Sequence, residues 1–173
     1  YVTHDQEEAL ELADRIAVLH QGAIEQIATP FEVYMQPQTQ YVATFLGAAN
    51  IIPGYIDHRC FRTEDIAIDL DDDMRLPNGM PATLVIRPED VFLRKAENLT
   101  QKYQPLTDGI IDEVSFVGAF ERVAVRLAFI RDHSLIVTRP KTETAAFPLS
   151  VGQKVPVGIV RFRVLPDNTR EPI

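Results

Sequence analysis

Apolar positions in the first fifty residues change period several times. Ala9, Leu10, Leu12 and Ala13 recur at helical spacing behind a polar cluster, His4-Asp5-Gln6-Glu7-Glu8. The acidic residues of that cluster fill a first helical turn, where the positive end of the helix dipole favours them. Ahead of it, Tyr1-Val2-Thr3 is a short β-prone run. Ile16-Ala17-Val18-Leu19 is a compact apolar run suited to a buried strand, Gln21-Gly22 turns the chain, and Ile24 to Ile27 pairs back as a hairpin. The order is strand, loop, helix, strand, turn, strand. It puts His4 at the C-terminal end of the first strand, where open α/β sheets place ligand-binding residues. Thr29-Pro30 then opens a helix, Thr as cap and Pro at the first helical position. Phe31, Val33, Tyr34 and Met35 make that helix amphipathic and Pro37 ends it. A second short helix fits Thr39 to Leu46, with Tyr41, Val42, Phe45 and Leu46 on one side and Gly47 as its stop.

After Ala48-Ala49-Asn50 the pattern becomes one of short strands broken by turn residues. Candidate strands are Ile51–Ile56, Ile66–Leu70, Ala82–Ile86, Val91–Arg94, Gly109–Val117, Phe120–Ala128, Ser134–Thr138 and one long strand, Lys154–Val164. Asp71-Asp72-Asp73, Pro77-Asn78-Gly79, Val117-Gly118-Ala119 and Pro166-Asp167-Asn168 mark turns. Alternation is clear where Val123, Val125 and Leu127 share one face. The polar stretch Leu99–Thr107 reads as a loop, and Pro148–Val155 as a turn feeding the last strand. Short strands at regular spacing imply a β-barrel or sandwich. The expected organisation is therefore an α/β segment over 1–50 and a barrel over 51–173, the latter long enough to fold alone.

Composition narrows the function classes. At 173 residues, 46% hydrophobic and 24% charged, the chain is that of a globular protein with an adequate core. A net charge of −8 argues against nucleic acid or an anionic membrane surface as partner. The single Cys60 excludes an internal disulfide and suits a reducing compartment. No run of about 18 apolar residues occurs, so membrane association is expected through a partner protein and not by direct insertion.

Thr3-His4-Asp5-Gln6-Glu7-Glu8-Ala9, Ala13-Asp14-Arg15-Ile16 and Gly22, continuing through Ile27-Ala28-Thr29-Pro30, Tyr34, Pro37, Phe45-Leu46-Gly47 and Asn50, resemble the switch-histidine end of the ATPase domain in ABC importer subunits. The second half resembles the TOBE domain, an OB-like β-barrel appended to such ATPases. That resemblance rests on Ile86-Arg87-Pro88-Glu89-Asp90-Val91, on Gly109, Val114, Phe116 and Gly118, and on Gly152-Gln153-Lys154-Val155. The fold implied is mainly β: an OB-like barrel preceded by a short α/β remnant of a P-loop nucleotide-binding domain. No Gly-rich loop ending in Gly-Lys-Ser/Thr occurs in the 173 residues, nor a hydrophobic strand ending in Asp-Glu. In the family those parts lie N-terminal to the switch histidine. The resemblance thus implies the C-terminal portion of a longer ATP-hydrolysing subunit, inactive by itself, with ATP and magnesium as cofactors of the complete subunit. It also implies membrane permease subunits and a second copy of the same subunit as partners, and a cytoplasmic place on the inner face of the plasma membrane.

His4 is the candidate catalytic residue. An imidazole there can donate to a γ-phosphate oxygen and orient the attacking water, the role the resemblance implies; read alone, it is a loop histidine bonded to nearby backbone. Asp5, Gln6, Glu7 and Glu8 read as a charged first turn in preference to metal ligands. His4, His20, His58 and His133 do not fall at zinc-ligand spacings. Asp69, Asp71 and Asp73 open like a calcium loop, but Met74 stands where Gly is needed and Met80 where the distal Glu is needed. Arg59 and His58 beside Cys60 would lower its pKa, yet no triad accompanies it. Arg87, before Pro88 and Glu89, reads as a structural residue, in an Arg–Glu pair or forking onto backbone carbonyls, in preference to contacting a regulatory ligand. Gly118 suits a turn of positive φ, and Arg139 with Lys141 around Pro140 reads as a solvated loop, with anion binding the alternative.

Three functions follow in order: a transport ATPase portion with a regulatory barrel, a stand-alone small-ligand or oxyanion binding barrel, and a nucleic-acid-binding OB fold. The third fails on charge and on the lack of aromatics interleaved with basic residues. A free binding barrel has no use for the His4 segment, which separates the first two.

Overall fold

The computed structural model describes residues 1–70, 74, 76–94, 103–128 and 134–167. The expected turn at Asp71-Asp72-Asp73, two of the three calcium-loop aspartates, His133, the start of the Leu99–Thr107 loop and the end of the Pro166-Asp167-Asn168 turn lie outside the described residues.

The first fifty residues build a small unit from local signals. Helix α1 (Gln6–Leu12) starts at Asp5, whose carboxylate accepts from the Glu8 N–H at 3.1 Å. Strands β1 (Ile16–His20) and β2 (Ala23–Ala28) form an antiparallel hairpin through Gln21 and Gly22, both at positive φ. Helix α2 (Pro30–Met35) carries a full capping box between Thr29 and Glu32, and α3 (Gln40–Phe45) is capped by Thr39. Ile16, Val18, Val33, Val42 and Leu46 pack together as their core. Buried Gln26 ties the hairpin to the helices, donating to the Gln36 carbonyl and accepting from the Gln38 N–H.

Two expectations fail here. Tyr1–Thr3 is not a strand. Tyr1 and Val2 stand in solvent, and Thr3 is engaged in a side-chain turn, accepting from the Asp5 N–H and donating to Glu8. Nor is the Ile16–Leu19 run buried on both faces: Ile16 and Val18 face the core, while Leu19 is 59% exposed.

The remainder is antiparallel β. The strands are β3 (Asn50–Asp57), β4 (Cys60–Arg62), β5 (Ala67–Asp69), β6 (Pro81–Ile86), β7 (Val91–Phe92), β8 (Gln104–Val117), β9 (Phe120–Leu127), β10 (Leu135–Pro140), β11 (Lys154–Ile159) and β12 (Arg163–Pro166). Among the described residues they form two five-stranded sheets, ordered β12-β6-β3-β4-β5 and β10-β9-β8-β11-β7. One apolar core lies between them, with Ile52, Phe61, Leu84 and Ile86 from the first sheet and Val123, Val125, Val137 and Ile159 from the second. Asn50 bridges the sheets: its amide donates to the Ile136 carbonyl at 2.8 Å and accepts from the Ile136 N–H at 2.7 Å, continuing β10 onto β3. The fold is mainly β, barrel-like, preceded by a short α/β segment, as expected. Gly118 takes φ +65° at the β8–β9 turn, also as expected. Gly54 is required for a different reason: a Cβ there would collide with the Arg62 carbonyl and the Phe61 ring.

Four details differ from the expectations. The long strand over Lys154–Val164 is two strands in different sheets, broken where Arg161 turns out to bond Asp90. The described end of the expected Leu99–Thr107 loop is the start of β8. Helix α4 (Lys141–Ala146) stands in the expected loop after Pro140, and β4 forms in a stretch without strand signal.

Candidate functional site

Two places carry the chemistry that the sequence singles out. The first is a hollow of about 960 Å³ beside α1, lined by residues 1–6, by β1 and by Phe45 and Leu46. His4 lies on its wall, exposed, with no hydrogen bond or ion pair to its ring among the described residues. The loop around it is set by Thr3 and Asp5, whose side chains hold the backbone from Asp5 to Glu8. Asp5 and Glu8 are thus spent on capping and turn formation. Among the described residues no three His, Cys, Asp or Glu side chains converge as a metal cluster requires. The outer face of the hairpin is apolar: Ala17 lies opposite Ile27 and Leu19 opposite Ile24, with Leu19 59%, Ile24 60% and Ile27 47% exposed.

The second place is the junction between this unit and the barrel. Arg87 leaves the end of β6 and crosses to the helices. Its guanidinium donates to the carbonyls of Ala43 at 2.8 Å, Ala48 at 3.2 Å and Tyr34 at 3.1 Å, and sits 4.1 Å over the Tyr34 ring. Of the two structural roles open to it, the fork onto carbonyls is the one taken. Glu89 instead accepts from the Tyr34 hydroxyl at 2.7 Å. The Arg87-Pro88-Glu89 motif is therefore a clasp closing the barrel onto α2 and α3. Ala43, Val85 and Leu165 pack beneath it. Burial holds the Arg87 pKa below its ordinary value, and burial together with the Glu89 carboxylate pushes Tyr34 up to about 12.

Beside the clasp, Asp90 is buried and accepts from Arg161 Nε at 2.8 Å. Burial raises its pKa even so; desolvation outweighs the single, outward-facing arginine. In the sequence Tyr34 stood as an apolar-face residue and as part of the family resemblance, and Arg161 as part of a strand. Their roles depend on contacts 55 and 71 residues apart, which no local signal encodes.

Two further expectations are corrected. Cys60 is not activated: its thiol donates to Asp69 at 3.1 Å, and that bond, with burial, raises its pKa. Arg139 is not in a solvated loop. It is 2% exposed, paired with Glu121 at 2.7 Å and bonded to the Phe147 carbonyl, so its charge is already matched.

No family model matches the chain. The "Fe(3+) ions import ATP-binding protein FbpC 2" of Rhizobium meliloti (strain 1021) is 30% identical over 95% of this chain and 43% of its own length. The "Spermidine/putrescine import ATP-binding protein PotA" of Bacillus thuringiensis subsp. konkukian (strain 97-27) is 37% identical over 91% of this chain and 39% of its own. The protein of the same name from Protochlamydia amoebophila (strain UWE25) is 34% identical over 68% of this chain and 34% of its own. The chain thus spans about two fifths of the length of the curated relatives it matches. Among solved structures, the cytoplasmic molybdate-binding protein ModG aligns with a TM-score of 0.49 at 12% identity, over 66% of this chain and 94% of that one. By its homologues, and over the part of their length that it spans, the chain belongs with the ATP-binding subunits of ABC importers.

Proposed function

We propose that this chain is the C-terminal portion of the ATP-hydrolysing subunit of an ABC import system, with a barrel over 51–173 that regulates and dimerises the subunit and is not catalytic by itself. The observation that carries the reading is the hairpin at 16–28. Its outer face presents Ala17, Leu19, Ile24 and Ile27 to solvent on a sheet of only two strands. An isolated hairpin is marginal in water, and such a face fits the edge of a larger sheet. His4 lies on the wall of the adjoining hollow with its ring free, as a residue awaiting the γ-phosphate would.

ATP and magnesium belong, in this reading, to the complete subunit. Of the residues present, His4 alone faces the nucleotide, donating to the γ-phosphate and orienting the attacking water. The Arg87 clasp makes the barrel move with α2 and α3, so contacts between two barrels bias the opening and closing of the ATPase halves through differential contacts in the two states. The partners are permease subunits and a second copy of the subunit, at the cytoplasmic face of the plasma membrane. No helix among the described residues is long and apolar enough to cross a membrane, which accords with docking onto a permease. Amide hydrogen exchange tests the reading. Residues 16–28 are expected to exchange fast in the 173-residue chain and to become protected by at least tenfold in the complete subunit. Equal exchange in both would overturn it.

A further inference from the structure

A second cavity, of about 370 Å³, opens at the junction beside the clasp. Its walls come from both units: Tyr34 to Pro37 at the end of α2, and Val85, Arg87, Asp90 and Arg161 to Arg163 from the barrel. A volume of that size is in the range that holds a small organic molecule. The wall is part apolar, through Met35, Pro37 and Phe162, and part cationic.

The charges on that wall are unevenly matched. Arg161 is paired with Asp90, and Arg87 is held by carbonyls, with no carboxylate on it. Asp69, the other acid of the wall, is occupied by the Cys60 thiol. Arg163 is different from all of these. Its backbone pairs with Val85 in the sheet, but its side chain makes no hydrogen bond or ion pair with any described residue, and its Nε is buried without a partner. A buried donor left unpaired is costly, and guanidinium donors are best satisfied by a two-oxygen anion. The described surroundings of Arg163 supply none.

We propose that this cavity is a binding site for a small organic oxyanion, its carboxylate or phosphate taken by Arg163 and its apolar body lying against Phe162, Met35 and Pro37. The occupant touches α2 and the barrel together, so it tightens the same junction that the Arg87 clasp closes. The site is thus placed to act as an effector site for the coupling of the two units. Binding itself depends only on the cavity, and its failure leaves the ATPase reading untouched.

The test uses the 173-residue chain and four probes: benzoate, phenyl phosphate, neutral benzamide and inorganic phosphate. Amide shifts in a nitrogen–proton correlation spectrum report the site and the affinity. Benzoate or phenyl phosphate is expected to shift Gln36, Gln104 and residues 160–163, whichever binds more tightly naming the head group. Benzamide and inorganic phosphate are expected to bind at least tenfold more weakly. Arg163→Gln is expected to weaken the organic anion at least tenfold, Arg163→Lys less, and the distant exposed Arg126→Gln not at all. Should Arg163→Gln unfold, the benzoate-to-benzamide ratio and Arg163→Lys still decide. Shifts from neither organic anion, equal binding of benzamide or inorganic phosphate, or undiminished binding to a folded Arg163→Gln would each overturn the proposal.

Discussion

Removing the Arg87 guanidinium should unlatch the helices from the barrel. In Arg87→Ala three carbonyls lose their donor and the Tyr34 ring loses its cation. The Ala43 carbonyl belongs to a residue with no exposed surface, so it is left unpaired at about 1–3 kcal/mol. The Ala48 carbonyl belongs to an exposed residue and the Tyr34 carbonyl to a part-exposed one, and water replaces much of what they lose, leaving about 0.5 kcal/mol each. The cation–π contact adds about 0.5–1 kcal/mol. Against this stands the relief of bringing a buried charge back to water, the same desolvation that lowers the Arg87 pKa. The net loss expected is about 2–3 kcal/mol. Arg87→Lys keeps the charge but cannot fork onto three acceptors, and should lose about half as much. Chemical denaturation of each variant gives the total, and hydrogen exchange gives its distribution, with α2 and α3 losing more protection than β8 and β9. The control is Arg126→Ala, whose pair with Asp112 is solvent-exposed and should matter by no more than about 0.5 kcal/mol. A loss below about 0.5 kcal/mol for Arg87→Ala, the range of ordinary surface changes, would refute the clasp.

Two more expectations follow from the same junction and from the family. Tyr34 titrates near 10 in an unfolded chain and at about 12 when folded. Because the folded value is the higher one, the stability it carries is whole below pH 10 and falls away as pH rises toward 12. Tyr34→Phe should flatten that fall in a plot of melting temperature against pH, and an unchanged slope would show that neither burial nor the Glu89 bond holds the Tyr34 proton. Sedimentation of the chain across a range of concentrations should show self-association, as a barrel meeting its copy across a two-fold axis requires; a monomer at every concentration would remove dimerisation from the account.

What could be read in the sequence was mostly local. Thr29 caps its helix as expected, because a cap needs only a side-chain oxygen and an N–H two or three residues on; Asp5 and Thr39, read as first-turn residues, are caps by the same local chemistry. The hairpin through Gly22, the turn at Gly118 and the alternation of Val123, Val125 and Leu127 are equally local. Helix α4 escaped because Lys141-Thr142-Glu143-Thr144 has no apolar stripe and no side-chain cap. The start of β8 escaped because Pro105 breaks the strand pattern, and it is accommodated where the pairing with β11 shifts register. The Lys154–Val164 run does carry a local signal, Gly158 one residue before the end of β11; at the break Arg161 reaches Asp90, a tertiary contact that the sequence does not show. The junction lay furthest from view. Arg87 was legible as a fork onto carbonyls, but the acceptors on α3 and the Tyr34–Glu89 bond exist only once both units are folded. Cys60 misled for the same reason: its chain neighbours Arg59 and His58 matter less than Asp69, which faces it across β4 and β5.

The central claim is that the chain serves ATP hydrolysis through His4 in a complete importer subunit. The direct measurement is nucleotide affinity and single-turnover hydrolysis by the complete subunit assembled with its permease, native against His4→Ala. The account predicts affinity within about threefold and hydrolysis slower by at least about tenfold, because the contact is made mainly in the transition state. Undiminished hydrolysis in His4→Ala would contradict it.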